Sequence, residues 1–226
     1  MKIRRRQRSG IPELQAEIDG NWYRIDAASG LMPGVASPEP SDDSHPANAG
    51  DALFAVLNMA GADREKFVQK LQATAPVAGE DGPAELPLEP KSFRDFMLFE
   101  KHVIDSSRGY VRRFMPGLYP VTQLAEKLTG KPFPAFRPHK LWYRQPIYYL
   151  SNHLNFAASG TTLHWPAYTD ALDYELELGA ILSRPLFNAT TEEAAAAIGG
   201  FVVLNDISAR DVQKDEMDSG FGPQKA

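Results

Sequence analysis

The chain has no cysteine. That absence excludes disulfides, thiolate metal sites and a cysteine nucleophile together. Long apolar runs are also missing. The longest, 194–204, contains Gly199 and Gly200 and falls far short of the ~20 residues a membrane-spanning helix needs. No Walker A loop, no Gly-x-Gly-x-x-Gly at a strand–helix turn and no Gly-x-Ser-x-Gly elbow occurs. The usual signatures of nucleotide binding and of a serine esterase are therefore lacking. Charge of one sign is not concentrated: 24 Lys+Arg stand against 29 Asp+Glu, a net −5. Such a balance attracts neither nucleic acid nor an anionic membrane surface. Lys2, Arg4, Arg5, Arg6 and Arg8 are a local exception. No apolar stretch follows them, so they do not begin a signal peptide, and they read as a solvated tail. The expectation is a soluble, cytoplasmic protein with no nucleic-acid or membrane partner.

What is present suits one domain, or one domain with a small appendage, with 43% hydrophobic residues to build a core. The segment 17–26 reads as a hairpin turning at Asp19-Gly20-Asn21. Residues 29–50 read as a long Gly/Pro/Ser-rich insert. Asp51 caps a helical pattern running to about Leu71, with Leu53, Phe54, Val56, Leu57, Phe67 and Leu71 as its apolar stripe. A loop over 73–91 separates this part from the rest. Ser92 and Asp95 have capping-box spacing and predict a helix that continues past His102 to about Phe114. A proline-rich stretch follows, with a short helix over 124–128, then a β-like aromatic run at 141–149. Pro185 closes a strand through Glu175, and Thr190 with Glu193 forms a second capping box. That box opens an alanine helix that stops at Gly199-Gly200. A buried strand over 201–204 and a helix from Ser208 complete the reading.

Chemistry concentrates in acidic residues. Glu175 and Glu177 are two apart in Leu172-Asp173-Tyr174-Glu175-Leu176-Glu177-Leu178. On a strand such residues share a face, ~7 Å apart, while Leu172, Tyr174, Leu176 and Leu178 take the other. Asp206, at the end of the apolar run 201–204, can converge on them. Three hard oxygen donors suit Mg²⁺, Mn²⁺ or Ca²⁺ rather than a soft metal. Spacing alone fits a solvated strand face equally well. Asp95 and His102, seven apart, face the same way on the predicted helix, where carboxylate and imidazole could serve metal and base chemistry. Spacing alone favours a cap and a surface histidine. Arg210 and Gln213 share a helix face just after Asp206, and a guanidinium there could clamp a carboxylate. On position alone a surface arginine is the favoured reading. His45, His139, His153 and His164 form no ligand spacing.

Three blocks, in order, resemble the fumarylacetoacetate hydrolase family. They are Ser92-Phe93-Arg94-Asp95-Phe96 with Phe99-Glu100-Lys101-His102, then Asp173-Tyr174-Glu175-Leu176-Glu177, then Asn205-Asp206-Ile207-Ser208-Ala209-Arg210-Asp211-Val212-Gln213. The resemblance covers residues 86–226 and leaves 1–85 unmatched. It implies a divalent metal, Mg²⁺ or Mn²⁺ with Ca²⁺ as a further option, held by Asp95, Glu175, Glu177 and Asp206. It implies His102 as the base that activates water, and Arg210 with Gln213 as the residues that hold the substrate's acid group. The implied fold is α+β, a mixed β-roll or β-sandwich with peripheral helices, and the implied assembly is a homodimer. The implied activity is hydrolysis of a C–C bond in a 1,3-diketo or 2-oxo acid. A hydratase, isomerase or decarboxylase on the same site, or a truncated non-catalytic relative, are the alternatives. The family pattern continues past residue 226 with a lysine near the metal and strands that close the roll. Lys225 lies near that lysine's place without being assigned to it, and Asp105 is a local candidate to orient His102. On this pattern residues 1–85 form an N-terminal region. Residues 86–226 are the first portion of a catalytic domain whose roll is incomplete.

Overall fold

A computed structural model describes residues 1–25, 49–59, 61–78, 82–220 and 222. Most of the expected insert at 29–50, and Lys225, lie outside the described residues. The fold is mixed α+β. It divides into two compact units, Met1–Lys91 with Leu154–Asp215, and Ser92–His153 with Glu216–Ala226.

The first unit opens with β1 (Lys2–Arg8), β2 (Ile11–Ile18) and β3 (Asn21–Ile25), antiparallel in sequence order. The basic segment expected as a tail is thus a strand, flanked on its other edge by the two-residue β4 (Ala84–Glu85). Arg4 finds partners on the sheet: it stacks 3.8 Å from the Trp22 ring centroid and donates to Gln15 Oε1 at 2.9 Å. The expected hairpin is present. Asp19 and Gly20 both adopt positive φ, 50° and 81°, and Ile18 pairs with Asn21, the backbone demanded by a two-residue turn between right-twisted strands. Alternation puts Leu14, Ala16, Ile18, Tyr23 and Ile25 on one buried face. That face is covered by α1 (Ala49–Leu57) and α2 (Gly61–Gln72) through Leu53, Val56, Phe67 and Leu71.

The single helix expected from Asp51 to Leu71 is therefore two. Helix α1 begins at Ala49, so Asp51 lies inside it rather than capping it. The break has a local cause. Asn58 turns its side-chain amide back to the Phe54 carbonyl at 2.9 Å and reaches the Ser183 carbonyl at 3.0 Å. The Asn58 N–H still bonds the Phe54 carbonyl at 3.0 Å, the Met59 N–H tightens onto Val56 O at 3.2 Å, and Gly61 takes a positive φ of 42°, so the chain turns there and two short helices both meet the sheet.

The rest of this unit includes a broken hairpin. Strand β7 (Leu172–Asp173) pairs with β10 (Ser208–Ala209), and β8 (Leu176–Leu182) pairs antiparallel with β9 (Ile198–Asn205). Between β8 and β9 lies α5 (Thr191–Ala196), opened by the predicted capping box of Thr190 and Glu193. Gly199 and Gly200 do not stop that helix; they belong to β9. Gly199 is required for close approach, because a Cβ there would lie 2.6 Å from Ser183 Cβ and 2.9 Å from Leu57 Cβ. The strand expected to be buried is not: Phe201 and Val203 are 64% and 74% exposed. Leu176 and Leu178, on the same face, are exposed too. The chain after β10 runs into α6 (Arg210–Asp218), two residues later than the helix start expected at Ser208.

In the second unit, β5 (Phe93–Phe96) pairs antiparallel with β6 (Tyr148–Ser151). Ser92 and Asp95 therefore cap no helix. Helix α3 starts at Glu100 and ends at Phe114, and its N-cap, Phe99, makes no side-chain cap bond. Pairing wins over the local capping signal because the aromatic cross-strand neighbours Phe96 and Tyr148 meet at 5.2 Å. The Trp142 indole N–H also donates to the Met97 carbonyl at 2.7 Å. Helix α4 (Tyr119–Thr129) is longer than the short helix expected at 124–128. A small core of Ile104, Val111 and Phe136 joins α3 to the 3-10 turn at Pro134–Phe136. Glu126 ties the same parts together: it accepts from Arg108 Nε at 3.0 Å and from the Phe133 backbone N–H at 2.9 Å.

The described strands form four small separate sheets, so the expected closed roll is not seen among the described residues. Among them, no helix is long and apolar enough to cross a membrane.

Candidate metal centre

The acids of the first unit are brought together by an interruption in its hairpin. At Tyr174 and Glu175 the chain leaves β7 and has not yet begun β8. Opposite, Asp206 and Ile207 separate β9 from β10. One backbone bond spans this gap: Asp206 N–H donates to the Glu175 carbonyl at 2.9 Å. The strand expected through Glu175 is thus broken at Glu175 itself, and Tyr174 stands exposed rather than facing a core. Local irregularity of this kind re-aims side chains in a way a straight ladder does not.

Glu175, Glu177 and Asp206 each offer a carboxylate oxygen, and these oxygens lie within 4.8 Å of one another. All three residues are half-buried. Two unit charges at that separation repel by about 3 kcal/mol at an effective dielectric near 20. A cation among them removes that cost and gains the attraction instead. Their donor set is all oxygen, which selects a hard divalent ion. The acidic cluster can hold a metal.

Arg210 supplies part of the compensating charge. Its Nη1 donates to Glu175 Oε1 at 2.5 Å and to Gln213 Oε1 at 3.3 Å, and its Nε donates to Asp173 Oδ2 at 3.1 Å. Gln213 thus sits beside Arg210, as its spacing of three on α6 requires. Asp173, which sequence reasoning left without a role, is the second anchor of this guanidinium. The period-2 relation of Asp173 to Glu175 was the available signal.

Asp211 is a further residue that the sequence reading passed over. Its carboxylate accepts from Thr169 Oγ1 at 2.5 Å, from the Asp170 backbone N–H at 2.8 Å and from Val212 N–H at 3.0 Å. These bonds, the Thr169 hydroxyl first, hold its carboxyl below the usual carboxylate range. They clamp the segment before β7 to the start of α6. An acid in the first turn of a predicted helix was the only sequence signal.

The second unit holds the other two expected site residues. Asp95 is buried on β5. His102 is exposed in the first turn of α3, its Nε2 3.4 Å from Ser106 Oγ. They are on different elements, so the expected shared helix face does not exist. Asp105 does not take the role of orienting His102. Lys101 and Arg108 both donate to it, Arg108 Nη1 at 2.7 Å. Those partners, Lys101 first, lower its pKa below the ordinary carboxyl value.

Residues 123–226 match the family model described as "Fumarylacetoacetate (FAA) hydrolase C-terminal". The match includes Glu175, Glu177, Asp206, Arg210 and Gln213, and lies after Asp95 and His102. The mitochondrial oxaloacetate tautomerase FAHD1 of Pongo abelii is 34% identical over 71 residues, 31% of this chain and 32% of that protein. A fumarylpyruvate hydrolase of a Ralstonia species is 29% identical over 84 residues, 37% of this chain and 44% of that protein. Among solved structures, a fumarylacetoacetate hydrolase from the psychrophile Exiguobacterium antarcticum aligns with 100% of this chain and 63% of that one. Its TM-score is 0.46 at 16% identity. The matched segment spans about a third of the curated tautomerase. Residues 123–226 thus resemble the fumarylacetoacetate hydrolase family, and the tautomerase and the fumarylpyruvate hydrolase are similar over part of their length.

Proposed function

We propose that this chain provides the metal-binding part of a divalent-metal-dependent hydrolase that cleaves C–C bonds in 1,3-diketo or 2-oxo acids. The carrying observation is the set of carboxylate oxygens on Glu175, Glu177 and Asp206 within 4.8 Å of one another. Asp95 is the fourth ligand in this reading, and residues 86–226 are the catalytic portion. The metal is Mg²⁺ or Mn²⁺, with Ca²⁺ accepted by the same oxygen donors. Such an ion supplies Lewis-acid polarisation of a substrate carbonyl.

The chain's own groups do the rest. Arg210 has an unused Nη2 among the described residues, and with the Gln213 amide it holds the substrate's acid group. His102 takes a proton from water at Nδ1, with Nε2 beside Ser106 Oγ. The hydroxyl adds to the carbonyl carbon. The C–C bond breaks with its electrons on the departing carbon, which then takes up a proton, leaving an acid and a shorter oxo acid. The active form is a homodimer.

A second reading rests on the tautomerase relatives. An isomerase needs the same metal and base, but His102 would shuttle a proton between carbon and oxygen without adding water. Full-length protein assayed with acylpyruvates and with enol-oxaloacetate, each in Mg²⁺ or Mn²⁺, separates the two by which absorbance decays. Glu177→Gln is expected to abolish metal-dependent turnover of either substrate. Full activity in that variant would overturn the metal assignment.

A further inference from the structure

Arg210 stands where a substrate-binding cation is expected, yet most of its hydrogen bonds run to the protein. Nε reaches Asp173 at 3.1 Å and Nη1 reaches Glu175 at 2.5 Å. The two carboxylates come from positions i and i+2 of one short segment, so one planar guanidinium spans both. The backbone around this fork is braced. Ser208 pairs with Asp173 and Ala209 with Leu172. Arg210 N–H donates to the Ala171 carbonyl at 2.9 Å, and Asp206 N–H donates to the Glu175 carbonyl at 2.9 Å. Asp173 is not one of the clustered acids. Its side chain is 49% exposed, against 16% for Glu175, so it holds the guanidinium from the solvent side. A guanidinium fork held at two points has little freedom to rotate. Glu175 is then held by an object that is itself held.

We propose that Arg210, anchored by Asp173, is a positioning residue for Glu175. It engages Oε1 and so sets the rotation of the carboxylate that would help to hold the cation. This inference rests on the metal reading above. It is compatible with a substrate contact through Nη2, and it assigns Asp173 a function. Partners that orient a metal ligand affect affinity although they never touch the ion.

Charge alone and positioning predict opposite signs. A guanidinium beside a cation site repels the cation, so on charge alone its removal tightens metal binding. If Arg210 instead fixes the ligand, its removal weakens binding. Lysine keeps the charge and loses the two-carboxylate fork, so Arg210→Lys separates the two effects again.

The test is a titration of the full chain with Mn²⁺ and no substrate, following free Mn²⁺ by electron paramagnetic resonance. Arg210→Gln and Arg210→Lys are each expected to raise the Mn²⁺ Kd about tenfold or more. Asp173→Asn is expected to raise it by a smaller factor. Far-UV circular dichroism checks that each variant is folded, and Arg210→Lys with Asp173→Asn carry the test should Arg210→Gln fail to fold. Unchanged or tighter Mn²⁺ binding in the Arg210 variants overturns the inference. If Glu177→Gln loses Mn²⁺ while the Arg210 variants keep it, only the positioning role fails. If the wild-type chain binds no Mn²⁺, the metal reading fails and takes this inference with it.

Discussion

In β2 and β3 the alternating residues Leu14, Ala16, Ile18, Tyr23 and Ile25 are buried beneath α1 and α2. In β8 and β9 the alternating residues Leu176, Leu178, Phe201 and Val203 stand 77%, 74%, 64% and 74% exposed. Both regions follow a period of two, and both pair in a defined antiparallel register. Alternation decides which side chains share a face. It does not decide whether that face becomes a core, because burial needs a second layer. The N-terminal sheet has that layer in Leu53, Val56, Phe67 and Leu71. In the β8–β9 hairpin, the close contact lies at the Gly199–Gly200 end, where the glycines admit Leu57.

The comparison is broken most directly by truncating one aromatic on each side. Phe67→Ala, from a residue 2% exposed, is expected to cost about 3–5 kcal/mol in urea unfolding. Phe201→Ala, from a residue 64% exposed, is expected to change stability by about 0.5 kcal/mol or less. Equal losses would show that the hairpin face is covered in solution.

A glycine pair sharpens the same contrast at smaller scale. Gly199→Ala puts a methyl 2.6 Å from Ser183 Cβ, and overpacking of this kind costs about 1–3 kcal/mol. Gly109→Ala, inside α3 with nothing within 4 Å of the new Cβ, is expected to add about 0.5–1 kcal/mol of stability instead. Thermal melts of the two variants should move in opposite directions.

The smallest effect concerns the clamp beside the metal cluster. The Asp211 carboxyl is held below its ordinary pKa by Thr169 and by backbone N–H groups. The unfolded chain therefore binds the proton more readily, and stability rises with pH across that window. The contribution is fully present above the unfolded carboxyl value and fades as pH falls through the folded value. Asp211→Asn should flatten this acid limb of the stability profile and leave the neutral region parallel to wild type. An unchanged acid limb would show that Asp211 does not clamp the segment in solution.

Much of the local order was legible. The turn at Asp19-Gly20 and the capping box of Thr190 and Glu193 rest on neighbours in sequence, and both formed. So did the acidic grouping of Glu175, Glu177 and Asp206, in which two members are two residues apart. Errors arose where a distant partner overrode a local signal. Ser92 and Asp95 carry a capping pattern, but Tyr148–Ser151 pairs with Phe93–Phe96 as a strand. Gly199 and Gly200 resemble a helix stop, but Leu57 and Ser183 press on β9 there. The basic stretch Lys2–Arg8 looks solvated, but β2 and β4 flank it.

By itself, the sequence determined the kinds of chemistry available to this protein. Without cysteine no metal site can use thiolates, and a site built on the acids at 175, 177 and 206 is one of hard oxygen donors. It also determined turns, caps and strand faces, because those depend on bonds and sterics within a few residues. Only the tertiary structure decided which apolar faces were covered, where the hairpin broke to gather the carboxylates, and that Asp173 and Glu175 share one guanidinium. Those outcomes depend on groups far apart in the chain, and their energies exist only once the chain has brought them together.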